Sequence, residues 1–142
     1  MAASCDLRIA SDKTRFGMPE VRVGIPSVIE ASLLPRLIGL GRTADLVYTG
    51  EMIDAEEAER IGLINQKVPR ENLKEATRQW AEKILQNGPT AMILQKKLIA
   101  QWMELSPSDS IAAGIKAFRE CFQTREPREG MKAFLEKRPP AY

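Results

Sequence analysis

The chain has 142 residues and a formal charge of +2, with 44% apolar, 28% charged and 6% aromatic residues and no histidine. That length suits one ordinary domain with a sizeable core, and the composition is that of a globular chain rather than a disordered or fibrous one. The lack of histidine excludes Ser-His-Asp and Cys-His nucleophilic sites, HExxH metalloproteases and His-ligated zinc within these residues, and the near-balanced charge gives no case for bulk nucleic-acid binding.

The first 26 residues read as extended. Leu7 and Ile9 alternate around Arg8, a Ser-Asp break precedes Lys13-Thr14-Arg15-Phe16, and Val21 and Val23 alternate around Arg22 between Pro19 and Pro26. Gly17, Pro19, Gly24 and Pro26 cut this stretch into pieces short enough to shape a pocket edge rather than a broad sheet. From Ser27 the pattern turns helical. Ser27 and Glu30 have the spacing of a capping box, Leu33, Leu34, Leu37 and Ile38 form an apolar face before Gly39, and Pro35 is expected to bend or end that helix. A short helix fits Thr43 to Thr49, closed by Gly50. Another opens at Asp54 with Glu57 as its box partner and stops at Gly62, before a strand over 63–68.

The remainder reads as helical. Leu73, Ala76, Thr77, Trp80, Ala81, Ile84 and Leu85 recur at helical spacing until Asn87-Gly88-Pro89 breaks the pattern. A helix then runs from about Pro89 to Leu105 with Leu94, Leu98, Trp102 and Leu105 on one face. Ser106-Pro107 has the form of an N-cap followed by proline at the first helical position, and the helix it starts carries Ile111, Ile115, Phe118 and Phe122. A last helix begins near Pro127, carries Met131, Phe134 and Leu135, and ends at Pro139. Trp80 and Trp102 sit on apolar faces that suit a core or a subunit interface.

Two cysteines, Cys5 and Cys121, are too few for a multi-bridge framework, so a reducing compartment and buried structural thiols are expected. No apolar run approaches the roughly 20 residues that cross a bilayer. The segment from Met1 to Arg8 lacks a basic leader and a long apolar run, and Pro139-Pro140-Ala141-Tyr142 is no targeting tripeptide. An intracellular, soluble chain, cytoplasmic by default, is the expectation. A few short strands followed by helices also leave strand edges and apolar helix faces that further chain or further subunits must cover.

Several motifs occur in a fixed order: Cys5-Asp6-Leu7-Arg8-Ile9-Ala10, Phe16-Gly17-Met18-Pro19-Glu20-Val21, Gly24-Ile25-Pro26, Leu37-Ile38-Gly39, Thr49-Gly50 and Asp54-Ala55-Glu56-Glu57-Ala58. Gly62-Leu63-Ile64, Val68-Pro69 and the run from Arg128 to Arg138 complete the series. Taken together they resemble the crotonase (enoyl-CoA hydratase/isomerase) superfamily over nearly the whole chain. The resemblance implies an α/β fold, the C-terminal part of a crotonase-like (ClpP/crotonase) spiral. Residues 1–69 would be the C-terminal part of the core, incomplete on its N-terminal side, and 70–142 a helical C-terminal oligomerisation region. A homo-oligomer, a trimer or dimer of trimers, is implied as well.

In that family a backbone oxyanion hole holds the thioester carbonyl of an acyl-CoA while one or two carboxylates move protons on the acyl chain. Moving a proton next to a thioester places negative charge on its oxygen. Each aimed N–H donor that stabilises such an oxyanion is worth about 10²–10³ in rate. By resemblance Glu20 matches the family's second catalytic carboxylate, with Met18, Pro19, Val21 and Val23 supplying a low-dielectric pocket around it. From spacing alone, Glu20 reads equally as a solvated glutamate after a proline. The family's first carboxylate and its glycine-rich oxyanion segment match positions before Met1, so the chain is expected to be a C-terminal fragment, inactive by itself.

Where hydratases carry a Pro-Gly-x-Gly-Gly turn, this chain has Pro26-Ser27-Val28-Ile29-Glu30. Valine and isoleucine there are expected to narrow the space beside Glu20, which leaves hydratase (lyase), isomerase or other CoA-ester chemistry open. Glu30 is either a relocated acid/base or the partner of Ser27 in a cap. Between Lys116 and Arg138 seven basic residues face four acidic ones, which suits either an adenine nucleotide or a solvated helix face. By resemblance Phe118, Phe134 and Lys137 match positions where a neighbouring subunit contacts CoA. No metal or redox cofactor is implied, CoA entering as part of the substrate. The alternative to an enzyme is a non-catalytic, crotonase-derived assembly module that lacks the oxyanion hole.

Overall fold

A computed structural model describes residues 2–142, which form two compact units, one running to Gln79 and the other from Trp80 to Tyr142. Regular sheet is sparse in the first. β1 (Ile9–Ser11) pairs in parallel with β4 (Gln66–Val68), Ala10 opposite Lys67, and β2 (Arg15–Phe16) pairs antiparallel with β3 (Ile53–Asp54). A parallel pair needs a long crossover. Here it is made by α1 (Leu34–Thr49) and α2 (Ala55–Arg60). Arg8 ties the entry to β1 onto the approach to β4. Its backbone N–H donates to Asn65 Oδ1 at 2.8 Å and its Nε to the Leu63 carbonyl at 2.5 Å.

The core of this unit gathers Ala10 from β1, Leu34, Ile38 and Leu46 from α1, Ala55 and Ala58 from α2, and Leu63 and Ile64 from the following turn. The strand expected over 63–68 is therefore only its second half. Leu63 and Ile64 leave the ladder to fill the core, after the Leu63 and Ile64 N–H groups close onto the Ala58 carbonyl. At the start of α2, Asp54 Oδ1 accepts from the Glu57 N–H at 2.9 Å. The Glu57 carboxylate does not return to the cap as a full box would have it. It pairs with Arg60 at 2.6 Å instead.

Pro35 begins α1 rather than ending it, since proline lacks only an N–H that the first turn leaves unused. The break falls at Gly39, whose φ of 78° and ψ of 161° divide α1 into two segments. The alternation of Val21 and Val23 is likewise no strand. Pro19–Val23 is a 3₁₀ turn with proline in its first turn, closed by the left-handed Gly24, so alternation here records a turn wound at three residues per repeat.

That turn is held by the C-terminus of α1. Arg22 Nε donates to the Thr49 carbonyl at 3.3 Å. A Cβ on Gly50, whose φ is 61°, would stand 3.1 Å from both Arg22 Cγ and Val21 Cγ1. Only glycine meets both the backbone angle and the approach.

The second unit is helical: the end of α3 (Leu73–Leu85), α4 (Pro89–Trp102), α5 (Pro107–Cys121) and α6 (Glu126–Leu135). α4 and α5 pack together, and the Trp102 Nε1–H donates to the Ser110 carbonyl at 3.2 Å, so this indole is half-exposed and polar-anchored rather than core. Ser106 caps α5 as expected, its Oγ accepting from the Asp109 N–H. α4 stops at Trp102, three residues short of the expected end, and α6 at Leu135.

The start of α4 has no cap in its own sequence. Glu126, buried at 8% exposure, supplies one from α6, its carboxylate accepting from the N–H groups of Thr90 at 2.8 Å and Ala91 at 3.1 Å. Burial is the largest influence on this carboxyl and opposes its ionisation. The Thr90 and Ala91 hydrogen bonds and the Arg125 charge together outweigh it and hold the group below the usual carboxylate range. Gly88 lies against the same carboxylate, where a Cβ would overlap Oε2 and stand 3.0 Å from Cδ.

Replacing Gly50 by alanine should lower the stability of the first unit by about 1–2 kcal/mol, the cost of a left-handed non-glycine residue. A shift of the denaturation midpoint at constant slope would record it, and a neutral substitution would contradict the packing described.

Candidate functional site

Glu20 stands in the 3₁₀ turn Pro19–Val23, half-buried. The turn closes with the Gly24 N–H donating to the Val21 carbonyl at 3.1 Å and the Ile25 N–H to the Glu20 carbonyl at 3.3 Å. The chain then runs through Pro26 and returns. Ser27 Oγ donates to Glu20 Oε2 at 2.7 Å, a charge-assisted distance. This bond replaces the capping box expected of Ser27 and Glu30. The residue before the 3₁₀ turn Glu30–Leu33 is Ile29, with no side-chain cap, and Glu30 is its first residue.

The apolar surround expected of Glu20 is only partly built. Met18 packs against the core, whereas Val21 is exposed and Val23 is 76% exposed. Val28 and Ile29 are also exposed. What stands next to Glu20 is the hydroxyl of Ser27.

The other expected site residues belong to the second unit. Phe118 on α5 is 65% exposed and its ring leans on Phe122, centroids 4.7 Å apart and tilted by 40°. Phe134 near the end of α6 is 82% exposed, and Lys137 follows with a left-handed φ of 53°. Lys116 and Arg119 help line a shallow, open groove of about 650 Å³ along α5. Ile111, Ile115, Phe118 and Phe122, read from sequence as one apolar helix face, are all exposed.

The basic run is less free than a count of charges suggests. Arg138 folds back onto α6, donating from Nη1 to Glu129 Oε1 at 2.7 Å, from Nη2 to Oε2 at 3.3 Å, and from Nε to Glu136 at 2.7 Å. The Ala141 N–H donates to the same Glu129 oxygen at 2.8 Å. The guanidinium, with the Ala141 N–H second, holds the Glu129 carboxyl down at about 2.

The thiols differ from expectation. Cys5 is exposed and Cys121 half-buried, the latter pushed up by burial and then by the Glu126 charge. Among the described residues no cluster of three or more His, Cys, Asp or Glu suits a metal ion, and no helix is long and apolar enough to cross a membrane.

Glu129 has a folded value of about 2 against an ordinary 4.5, so its contribution to stability is complete above pH 4.5 and fades as pH falls towards 2. The difference in thermal midpoint between the parent chain and Glu129→Gln should therefore be constant above pH 5 and shrink across that acid window. A difference that persists unchanged at pH 2 would contradict the Glu129–Arg138 clamp.

Comparison with known proteins gives one answer. Residues 1–142 match the sequence family described as enoyl-CoA hydratase/isomerase, a match over the whole length that does not itself place the chain as a C-terminal part. The chain is 42% identical over 139 residues to a short-chain-enoyl-CoA hydratase of Clostridium acetobutylicum, covering 97% of this chain and 53% of that protein. It is 41% identical over 139 residues to a crotonyl-CoA hydratase of Syntrophomonas wolfei, covering 97% and 54%. In three dimensions it matches the crystal structure of an enoyl-CoA hydratase from Bacillus anthracis with a TM-score of 0.94 at 37% identity, over 99% of this chain and 55% of that one. The chain thus spans about half the length of the curated relatives it matches. Its ordered motifs, its mixed helix and strand architecture and these matches agree: the chain belongs to the enoyl-CoA hydratase/isomerase family.

Proposed function

We propose that this chain forms part of an enzyme that acts on the thioester of an enoyl-CoA, with Glu20 as its acid/base and the oxyanion donors supplied by chain outside residues 1–142. The observation that carries this reading is a half-buried carboxylate on a glycine-closed turn, hydrogen-bonded at 2.7 Å, in a chain that matches the family over its full length. Hydration of a short enoyl chain is the favoured reaction, supported by the names of the two relatives at 41–42% identity.

In that reaction Glu20 accepts a proton from water as the water oxygen bonds to the β-carbon. The electron pair of the double bond moves towards the thioester oxygen, and Glu20 then gives its proton to the α-carbon, which discharges the enolate and restores the carboxylate. In isomerisation the same carboxylate would carry a proton between carbons of the acyl chain. Either way the cost lies in charge on the thioester oxygen, which is why aimed N–H donors and a carboxylate are needed together.

Phe118, Phe134 and Lys137 are proposed as CoA contacts offered to a neighbouring subunit. Two exposed rings and an exposed ammonium suit an adenine and its phosphates. The exposed apolar face of α5 suits a homo-oligomer, because side chains of this kind in a contiguous stripe are normally covered, and its number, a trimer or dimer of trimers, rests on the family resemblance.

Crotonyl-CoA turnover, followed as loss of the conjugated thioester, tests the assignment. In the intact enzyme Glu20→Gln should lower kcat by about 10²–10⁴ while KM stays within a few-fold. Retained turnover would remove Glu20 from the mechanism. Residues 1–142 alone should show no measurable turnover, and robust hydration by them would contradict the missing donors.

A further inference from the structure

Ser27 enters neither the fold's capping scheme nor the reaction as described, yet it carries a short polar contact to the proposed acid/base. Its hydroxyl donates to Glu20 Oε2 at 2.7 Å across seven residues of chain. Among the described residues this is the only side chain found to hydrogen-bond that carboxylate. Three features bring the pair together. Gly24, at φ 80°, reverses the chain after Val23; the Ile25 N–H is drawn back to the Glu20 carbonyl; and Pro26 fixes the backbone immediately before Ser27. Val28 and Ile29, which follow, are exposed, and Ser27 is half-buried against the carboxylate it bonds.

We propose that Ser27 is a positioning residue for Glu20, its hydroxyl holding Oε2 so that the carboxylate presents Oε1 to the reacting water or carbon. This rests on the role of Glu20 proposed above.

A glutamate has three side-chain torsions, and with Val21 and Val23 exposed the apolar surround within this chain does little to limit them. Proton transfer needs the accepting oxygen within hydrogen-bond reach of the proton it takes. When Oε1 takes a proton, Oε2 becomes the carbonyl oxygen of the acid, so the Ser27 hydroxyl can keep donating to it in both charge states. Glu20 can then pass through a full catalytic cycle without losing its anchor. An alanine at 27 offers no donor, and threonine retains one.

The test uses crotonyl-CoA with the intact enzyme and four variants: Ser27→Ala, Ser27→Thr, Glu20→Gln and the double variant. Ser27→Ala should lower kcat by about 10–100-fold, the scale of a displaced catalytic group, with KM changed less than threefold and the thermal midpoint little altered. Ser27→Thr should recover most of the loss. In the Glu20→Gln background the alanine substitution should cost nothing further, because Ser27 acts through Glu20.

Full activity of Ser27→Ala beside an inactive Glu20→Gln would overturn the role of Ser27 and leave that of Glu20 standing. A raised KM with unchanged kcat would overturn it too, assigning the hydroxyl to substrate binding, as would an alanine defect that threonine does not repair. Full activity of Glu20→Gln would remove both proposals together.

Discussion

The contact between Gly50 and the Val21–Arg22 turn decides where Glu20 stands. The first unit has no broad sheet to orient a side chain. Its strand pairs are two or three residues long, so few ladder hydrogen bonds fix the segments between them. The turn Pro19–Val23 is placed instead by the end of α1, through the left-handed Gly50 and the hydrogen bond from Arg22 to the Thr49 carbonyl. α1 is anchored in turn by Leu34, Ile38 and Leu46 in the core. The path from core to carboxylate thus runs through one helix end, and a crowded glycine against Arg22 bears directly on the proposed chemistry.

Much of this was legible in the sequence where the signal is local. Ser106-Pro107, Asp54 with Glu57, the Gly50 stop and the break at 87–89 each state a helix boundary through backbone angle or a nearby N–H, and each is found where it was read. The readings that failed share a physical cause. Val21 and Val23 alternate in sequence, but Pro19 and Gly24 close five residues into a turn too short for alternation to mean a strand. Ser27 and Glu30 have capping spacing, yet the turn starts at Glu30 itself, and the Ser27 hydroxyl donates to Glu20, seven residues back. Glu126 capping α4 across 36 residues and Arg138 clamping Glu129 are tertiary contacts with no signal in either segment alone.

Within the candidate site, the residues carried by family resemblance have unequal structural support. Glu20 has a partner, a turn and an anchored neighbourhood. Phe118, Phe134 and Lys137 have exposure and charge, which suit a ligand or another subunit without selecting between them. The helical periodicity seen in sequence places Ile111, Ile115, Phe118 and Phe122 on one face of α5, and that face, like Phe134 and Leu135, is exposed.

The most direct measurement is a crystal structure of the intact enzyme with an acyl-CoA thioester bound. The account predicts Glu20 Oε1 within about 3–3.5 Å of the reacting water or acyl carbon, with Ser27 still bonded to Oε2. An acyl chain lying elsewhere, with the Glu20 carboxylate turned to bulk solvent, would contradict it.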